Sequence, residues 1–370
     1  MRVAHVVSTF YPHVGGMGSV CYNEAKSLAE SGHDVTVFTL KYPNEVYNDV
    51  KFPFKIVRLK PIIKLGDAGL VPQILNQLKG FDLVHLHYPF YGGAEWLSFF
   101  NIPLVITYHM DAQSGGLKEI IAKAYDLFWS KILFSKAKKI ITVDTNHFQN
   151  TKFGQYFINK TVEIQNGVDT EIFRPHSVSL ESVGLSHLKD KKIILFVGNP
   201  MPVKRLDILL NSLKLLNDNS LALMVIGGGY QLEKYKQMAK DLHIEKNVSF
   251  VGQCDDRQKL SDYYNMASCV VVPSDYESFS LVTIEAMACG IPVIASNIAG
   301  LASRVKPGEN GFLFAKGSVE SLVKELKKVL AMSKEEKQIM GEKEVSEIKN
   351  NYSWKNHMEK LLNLYNNILS

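Results

Sequence analysis

Two carboxylates stand at either end of the segment Pro273-Ser274-Asp275-Tyr276-Glu277-Ser278-Phe279-Ser280-Leu281-Val282-Thr283-Ile284-Glu285-Ala286-Met287-Ala288-Cys289-Gly290. The apolar run Cys269 to Pro273 reads as a buried strand that delivers a loop holding Glu277, and a short helix carrying Glu285 follows. Amides near Phe279, Ser280 and Leu281 then fall at a helix start, where N–H groups lack intrahelical partners and the helix dipole favours an anion. A diphosphate suits them. Carboxylates are poor phosphate ligands but good acceptors for sugar and ribose hydroxyls, so Glu277 and Glu285 can flank such a cradle without entering it. The plainer reading is one acidic loop residue and one glutamate favoured by the dipole. It leaves unexplained the small-residue run Ala286-Met287-Ala288-Cys289-Gly290, which keeps the helix slim enough for close approach.

Other chemistry-bearing residues are more ambiguous. Tyr11-Pro12-His13-Val14-Gly15-Gly16-Met17-Gly18 lies between a strand and a helix, where Gly15 and Gly16 could let backbone approach a phosphate or serve an unliganded turn. A nicotinamide site would need Gly-x-Gly-x-x-Gly and an acidic residue closing the second strand, and that strand ends Phe38-Thr39-Leu40-Lys41 instead. His109, in Thr107-Tyr108-His109-Met110-Asp111, follows a first-domain strand and so is expected at the edge of a cleft; a lone histidine is more often structural than catalytic. Asp111 is an acceptor-side group or a turn residue. His85 and His87 alternate on one strand and share a face, which permits metal ligation in principle, but the sequence shows no third ligand at sensible spacing. No metal site is expected.

These residues need scaffolds, and the chain supplies two. Strands read at Val3 to Ser8, Asp34 to Leu40, Lys55 to Leu59, Asp82 to His87, Pro103 to Tyr108, Lys139 to Asp144 and Thr161 to Gln165, mostly separated by helical stretches. A second series begins at Lys191, with strands at Ile193 to Gly198, Ala222 to Gly227, Asn247 to Val251, Cys269 to Pro273, Pro292 to Ser296 and Gly311 to Ala315. Both series open alike, with an apolar strand, a Pro/Gly loop and a helix. The fold class is therefore α/β with two doubly wound, Rossmann-like sheets, each expected to bind ligands beyond the carboxyl ends of its strands. The polar stretch Asn166 to Asp190 reads as the linker, giving domains over 1–175 and 176–351, and two such domains facing each other would make one cleft.

Composition narrows the class. Across 370 residues, 46% hydrophobic and 21% charged content suits a globular protein of two cores. A net charge of +5 spreads many lysines among nearly as many acids, which does not point to nucleic acid. Cys21, Cys254, Cys269 and Cys289 are far apart in the sequence, which suggests neither a disulfide framework nor a zinc site and fits a reducing, cytoplasmic setting. No run reaches the ~18 apolar residues of a membrane helix. The stretch Ile120 to Ile141 mixes aromatic residues with lysines, so it reads either as a helix lying on anionic lipid, a peripheral membrane contact, or, in preference, as a core-packed helix with a solvated lysine edge.

The two-glutamate segment ending Glu-Ala-Met-Ala-Cys-Gly-Ile-Pro-Val resembles that of the family 4 retaining glycosyltransferases. The likeness extends to Gly15-Gly16, Gly32-His33-Asp34-Val35, Asp82-Leu83-Val84-His85-Leu86-His87, Asn166-Gly167-Val168-Asp169 and Gly308-Glu309-Asn310-Gly311. The resemblance implies a GT-B fold with the donor site mostly on the second domain, and a final helix, 352–370, crossing back to complete the first. It implies that Glu285 binds the donor ribose, Glu277 the transferred sugar and Lys204 the diphosphate, that Gly16 approaches the diphosphate from the opposite domain, and that His109 lies against the donor sugar. The expected donor is a nucleotide-diphosphate sugar, UDP slightly favoured, acting as substrate with no cofactor. The acceptor is a sugar, a lipid-linked group or a small molecule, and the route is polysaccharide or glycoconjugate synthesis. Two positions depart from the pattern. Asn199 stands after Gly198 where the family has arginine, leaving Arg205 as the candidate substitute, and Ser303 stands where an acidic residue is common. A nucleotide-sugar epimerase, a pyridoxal-phosphate glucan phosphorylase and a non-catalytic nucleotide-sugar binder are the other classes compatible with this architecture.

Overall fold

The computed structural model describes residues 1–12, 15–42, 52–111, 124–181 and 183–370. They form two compact units, one of Met1–Asn166 with His357–Ser370 and one of Gly167–Asn356.

The first unit contains β1 (Arg2–Val6), β2 (Asp34–Leu40), β3 (Lys55–Leu59), β4 (Leu83–Tyr88), β5 (Leu104–Tyr108), β6 (Lys139–Thr142) and β7 (Thr161–Glu163). They make one parallel sheet in the order β3-β2-β1-β4-β5-β6-β7. Parallel strands are covered on both faces, which is why β4 is buried along its whole length. Its Val84, Leu86 and Tyr88 enter one core, while Leu83 enters the other with Val3 of β1 and Val7 just after it. Side chains alternate along a strand, so His5, His85 and His87 share this second face. It is covered by Cys21, Ala25 and Leu28 of the Gly16–Glu30 helix and by Met358, Leu361, Leu364 and Tyr365 of the Trp354–Leu369 helix. The last helix thus completes the first unit.

The second unit contains β8 (Lys192–Val197), β9 (Leu221–Ile226), β10 (Val248–Gly252), β11 (Cys269–Val272), β12 (Val293–Ser296) and β13 (Gly311–Phe314). Its sheet, also parallel, runs β10-β9-β8-β11-β12-β13. In both sheets the order reverses beside the first strand, between β1 and β4 and between β8 and β11. Ligands bind such sheets at that reversal, outside the carboxyl ends of the strands.

The units divide at 166/167 and 356/357, not at the 175/176 and 351/352 read from the sequence. The cause is local pairing. Val168 N–H donates to Tyr352 O at 2.7 Å, the Phe173 ring packs 5.8 Å from Tyr264, and the Arg257 guanidinium lies 5.0 Å from the Phe173 ring. These contacts tie residues 167–175 and 352–356 to the second unit.

Of the stretch Ile120 to Ile141, residues 120–123 lie outside the described residues. The remainder is broken into the π-helical turn Asp126–Ser130, the short helix Lys131–Lys136 and the start of β6. Leu133 and Phe134 are core residues, whereas Phe128 is 60% exposed. Among the described residues no helix is long and apolar enough to cross a membrane.

Candidate active site

In the second unit the loops after neighbouring strands β8 and β11 meet. The first makes a single helical turn, Pro202–Lys204, and the second runs to the Leu281–Ala288 helix. Lys204 Nζ donates to Glu277 Oε1 at 2.5 Å, and Ser274 Oγ donates to the same oxygen at 2.9 Å. The loops are also joined by backbone, Asp275 N–H donating to Val203 O at 2.8 Å.

Arg205 follows directly, in the left-handed region at φ 51°. Its guanidinium reaches both oxygens of Asp275, at 3.1 and 2.9 Å, and both of Asp207, at distances from 3.0 to 3.3 Å. One cation between two carboxylates leaves no net positive charge for a phosphate, so the expected substitution of Arg205 for the arginine absent at Asn199 finds no support in this geometry. Gly198 itself, at φ 133°, is in a conformation that L side chains rarely adopt, and a Cβ on neighbouring Gly227 would lie 2.1 Å from Gly198 O.

Ser280 caps the Leu281–Ala288 helix at φ 68°, a conformation costly for a residue with a side chain. Its hydroxyl accepts from Thr283 N–H at 3.4 Å and from Thr283 Oγ1 at 3.0 Å. The amides of Phe279, Ser280 and Leu281 have no acceptor among the described residues. Three donors at the positive end of a helix sit beside the Lys204 and Glu277 pair. Glu285, one turn into that helix, accepts from Tyr264 OH at 2.9 Å through Oε2, while Oε1 has Arg257 Nη2 at 4.0 Å. Burial raises the Glu285 pKa, and Arg257 and Tyr264 pull it back.

A third loop buttresses this one. A Cβ at Gly300 would lie 1.8 Å from Glu277 O, so only glycine permits the observed contact. Arg304 Nη1 donates to Gly300 O at 2.9 Å and to Ser303 Oγ at 3.1 Å, and its guanidinium carbon stands 3.9 Å from the centre of the Phe279 ring. Ser303, where an acid was expected, therefore serves Arg304.

In the first unit Gly15 and Gly16 open the Gly16–Glu30 helix, with His13 and Val14 outside the described residues. A Cβ at either glycine would meet nothing within 4 Å, and neither has a positive φ. Nothing among the described residues requires glycine there, unlike Gly18, whose Cβ would be 2.8 Å from Thr9 O.

His109, 8% exposed, ends a buried polar chain. Its Nε2 is 3.0 Å from His87 Nδ1, and His87 Nε2 is 3.0 Å from His5 Nδ1. Register pairs His5 with His85 across β1 and β4, and His85 bonds Thr107 Oγ1 and Tyr365 OH, each at 2.6 Å. Glu24 projects into the cluster from the Gly16–Glu30 helix: Oε1 is 2.9 Å from His357 Nε2, and Oε2 lies 3.3 to 3.8 Å from ring nitrogens of His85, His87 and His5. Burial pushes His5 and His109 down to about 3 and holds His85 and His87 well below the ordinary imidazole value. Asp111 lies 3.3 Å from Lys152, which also pairs with Asp126.

Sequence reasoning missed Gly300, Tyr264 and Glu24, and it found no further partner for His85 and His87. The partners come from β1 and the first helix, so spacing along β4 could not reveal them. One signal was present: Val20, Glu24 and Leu28 recur at helical spacing, placing a carboxylate on an apolar stripe.

Residues 14–172 match the family described as Glycosyltransferase Family 4, and residues 181–344 match Glycosyl transferases group 1. D-inositol 3-phosphate glycosyltransferase 2 of Catenulispora acidiphila is 31% identical over 340 residues, covering 81% of this chain and 78% of that protein. The sucrose-phosphate synthase structure from Thermosynechococcus elongatus superposes with a TM-score of 0.83 at 22% identity, covering 99% of this chain and 98% of that one. Anabaena HepE in complex with UDP-glucose superposes at 0.80 with 17% identity, covering 99% and 100%. The two parallel sheets, the returning last helix and these likenesses together place the chain in family 4 of the glycosyltransferases, with the GT-B fold.

Proposed function

We propose that the chain transfers a hexose from a nucleotide-diphosphate sugar, a UDP-sugar foremost, to a sugar, lipid-linked or small-molecule acceptor with retention of anomeric configuration and without a metal ion. The observation that carries this reading is the grouping in the second unit of one lysine, three unpartnered helix-start amides and two glutamates. In this reading the lysine and the amides of Phe279, Ser280 and Leu281 bind the diphosphate, Glu285 Oε1 accepts a ribose hydroxyl, and Glu277 accepts hydroxyls of the sugar. The UDP-glucose in the HepE complex supports a nucleotide-sugar donor of this kind. Gly198 and Asn199 border the same loop, and in the first unit Gly15 and Gly16 admit ligand approach while His109 contacts the sugar.

In the transfer, the bond from the sugar's anomeric carbon to the diphosphate oxygen breaks and its electron pair stays with the diphosphate. The acceptor oxygen bonds to that carbon on the same face, and its proton passes to the leaving phosphate oxygen. Lys204 gains importance as negative charge grows on the diphosphate, which is the differential binding that lowers a barrier. No carboxylate need hold a metal, because Lys204 pairs with Glu277 and Arg205 pairs with Asp275.

The test is a thermal-shift and calorimetric screen of UDP, GDP and ADP and their sugars, followed by product analysis. A ligand at about 100 times its dissociation constant adds about 2.7 kcal/mol of stability. Absence of stabilisation by every nucleotide diphosphate would remove the proposal.

A further inference from the structure

The mechanism above uses His109 but not the four buried groups behind it. Resting on the reading of His109 as a ligand-contacting residue, we infer that His5 and His87 are positioning residues that fix the proton of His109 on Nδ1, making it a hydrogen-bond donor to a substrate oxygen and not a general base.

The rings of His5, His87 and His109 lie in a row, joined by two nitrogen–nitrogen contacts of 3.0 Å. All three are withdrawn from water, so each is neutral and carries one N–H. Two arrangements satisfy both contacts. In the first, His5 Nδ1–H donates to His87 Nε2 and His87 Nδ1–H donates to His109 Nε2, leaving the His109 proton on Nδ1. In the second, every proton is reversed, and His5 must carry its own on Nε2. That atom is buried with no hydrogen-bond partner. The first arrangement leaves a bare lone pair there and the second an orphaned N–H, the rarer defect in folded proteins. The protons therefore point along the chain toward His109.

The surrounding groups do not supply a competing proton. His357 Nδ1 is 2.7 Å from Gln165 O, a carbonyl that can only accept, so Nδ1 carries hydrogen. A single proton then lies between His357 Nε2 and Glu24 Oε1, 2.9 Å apart, whichever atom holds it. Glu24 Oε2 is left as an acceptor among the rings, buried and with no hydrogen bond of its own. His85 is occupied by Thr107 and by Tyr365. With Nε2 accepting from His87, the ring of His109 offers a ligand only Nδ1–H, which pairs with a hydroxyl, ether or phosphate oxygen and disfavours an ammonium group.

One ring nitrogen each from His5, His85 and His87 and one Glu24 oxygen also lie within 4.8 Å of one another, close enough to hold a metal ion, and a metal would consume the lone pairs that the chain needs. The experiment separates these cases. Full-length protein labelled with ¹⁵N at histidine is measured by long-range proton–nitrogen correlation at pH 7.5, with metal content determined on the same sample. The expected result is a neutral Nδ1–H tautomer at His109, under one-tenth of an equivalent of any transition metal, and the same tautomer in His5→Asn, whose amide nitrogen can replace the Nδ1 donor. His5→Leu should shift His109 to a mixture of tautomers and lower kcat by about tenfold or more with little change in KM for the nucleotide sugar. An Nε2–H tautomer in the wild type, or one equivalent of bound metal, overturns the inference. The predicted tautomer in a protein that turns over no nucleotide sugar leaves the proton chain standing and removes the proposed function instead.

Discussion

Gly300→Ala adds one methyl group and tests whether the third loop holds Glu277 in place. The new Cβ would lie 1.8 Å from Glu277 O, and real Cβ contacts are essentially never under 3.0 Å, so the loops must part by at least 1.2 Å. Directed along the Lys204 to Glu277 contact, that movement takes 2.5 Å to ~3.7 Å, beyond hydrogen-bond range. Two consequences follow. Overpacking costs about 1–3 kcal/mol of stability, and a misplacement near 1 Å at a reacting centre costs about 10²-fold in turnover. The assay pairs a melting curve with the initial rate of nucleoside diphosphate release from the best-stabilising nucleotide sugar. Gly300→Ala with unchanged melting temperature and turnover within about threefold of wild type would show that the contact does not position Glu277.

The other expected outcomes are as follows. Gly16→Ala places its methyl in open space at a helix start, so the melting temperature should hold or rise slightly while donor affinity or turnover falls about tenfold; unchanged kinetics would remove ligand approach at that loop. Lys204→Ala should lower kcat by about 10²-fold or more, whereas Arg205→Ala, already balanced by Asp275 and Asp207, should lower it far less; equal losses would mean that Arg205 meets the diphosphate. Glu285→Ala should weaken nucleoside diphosphate binding by about 1–3 kcal/mol, and equal calorimetric affinities would end the ribose assignment. Burial holds His5 and His109 near 3 against about 6.5 when unfolded, so below pH 6.5 the unfolded chain binds the extra protons and stability falls with pH, by about 2.7 kcal/mol per unit for the pair; a melting temperature flat between pH 7 and pH 5 would contradict it.

What the sequence could and could not tell divides along physical lines. Strands such as Asp34–Leu40 and Lys55–Leu59 were readable to the residue because β-branched runs between turns are local signals. Glu277 and Glu285 could be singled out because they share one segment, and Lys204 because the family resemblance implies a cation there. Gly300 could not be singled out, since a glycine's necessity depends on an atom 23 positions away in sequence, the carbonyl oxygen of Glu277. The limit is the same for Arg205. A Lys-Arg pair after a strand reads as two phosphate-binding cations, yet fold proximity assigns one to Glu277 and the other to Asp275 and Asp207, and only the tertiary pairing distinguishes them. His85 and His87 make the point from the other direction. Their alternation announced a shared face, but what that face does is decided by His5 from β1, Glu24 from the first helix and Tyr365 from the last, groups separated from them by up to 280 positions and brought together by a strand register that places His5 beside His85. Because both ends of the chain contribute to that cluster, removing the last helix should expose the buried imidazoles, let them protonate below about pH 6.5 and loosen His109 without altering Lys204, Glu277 or Glu285 of the second unit.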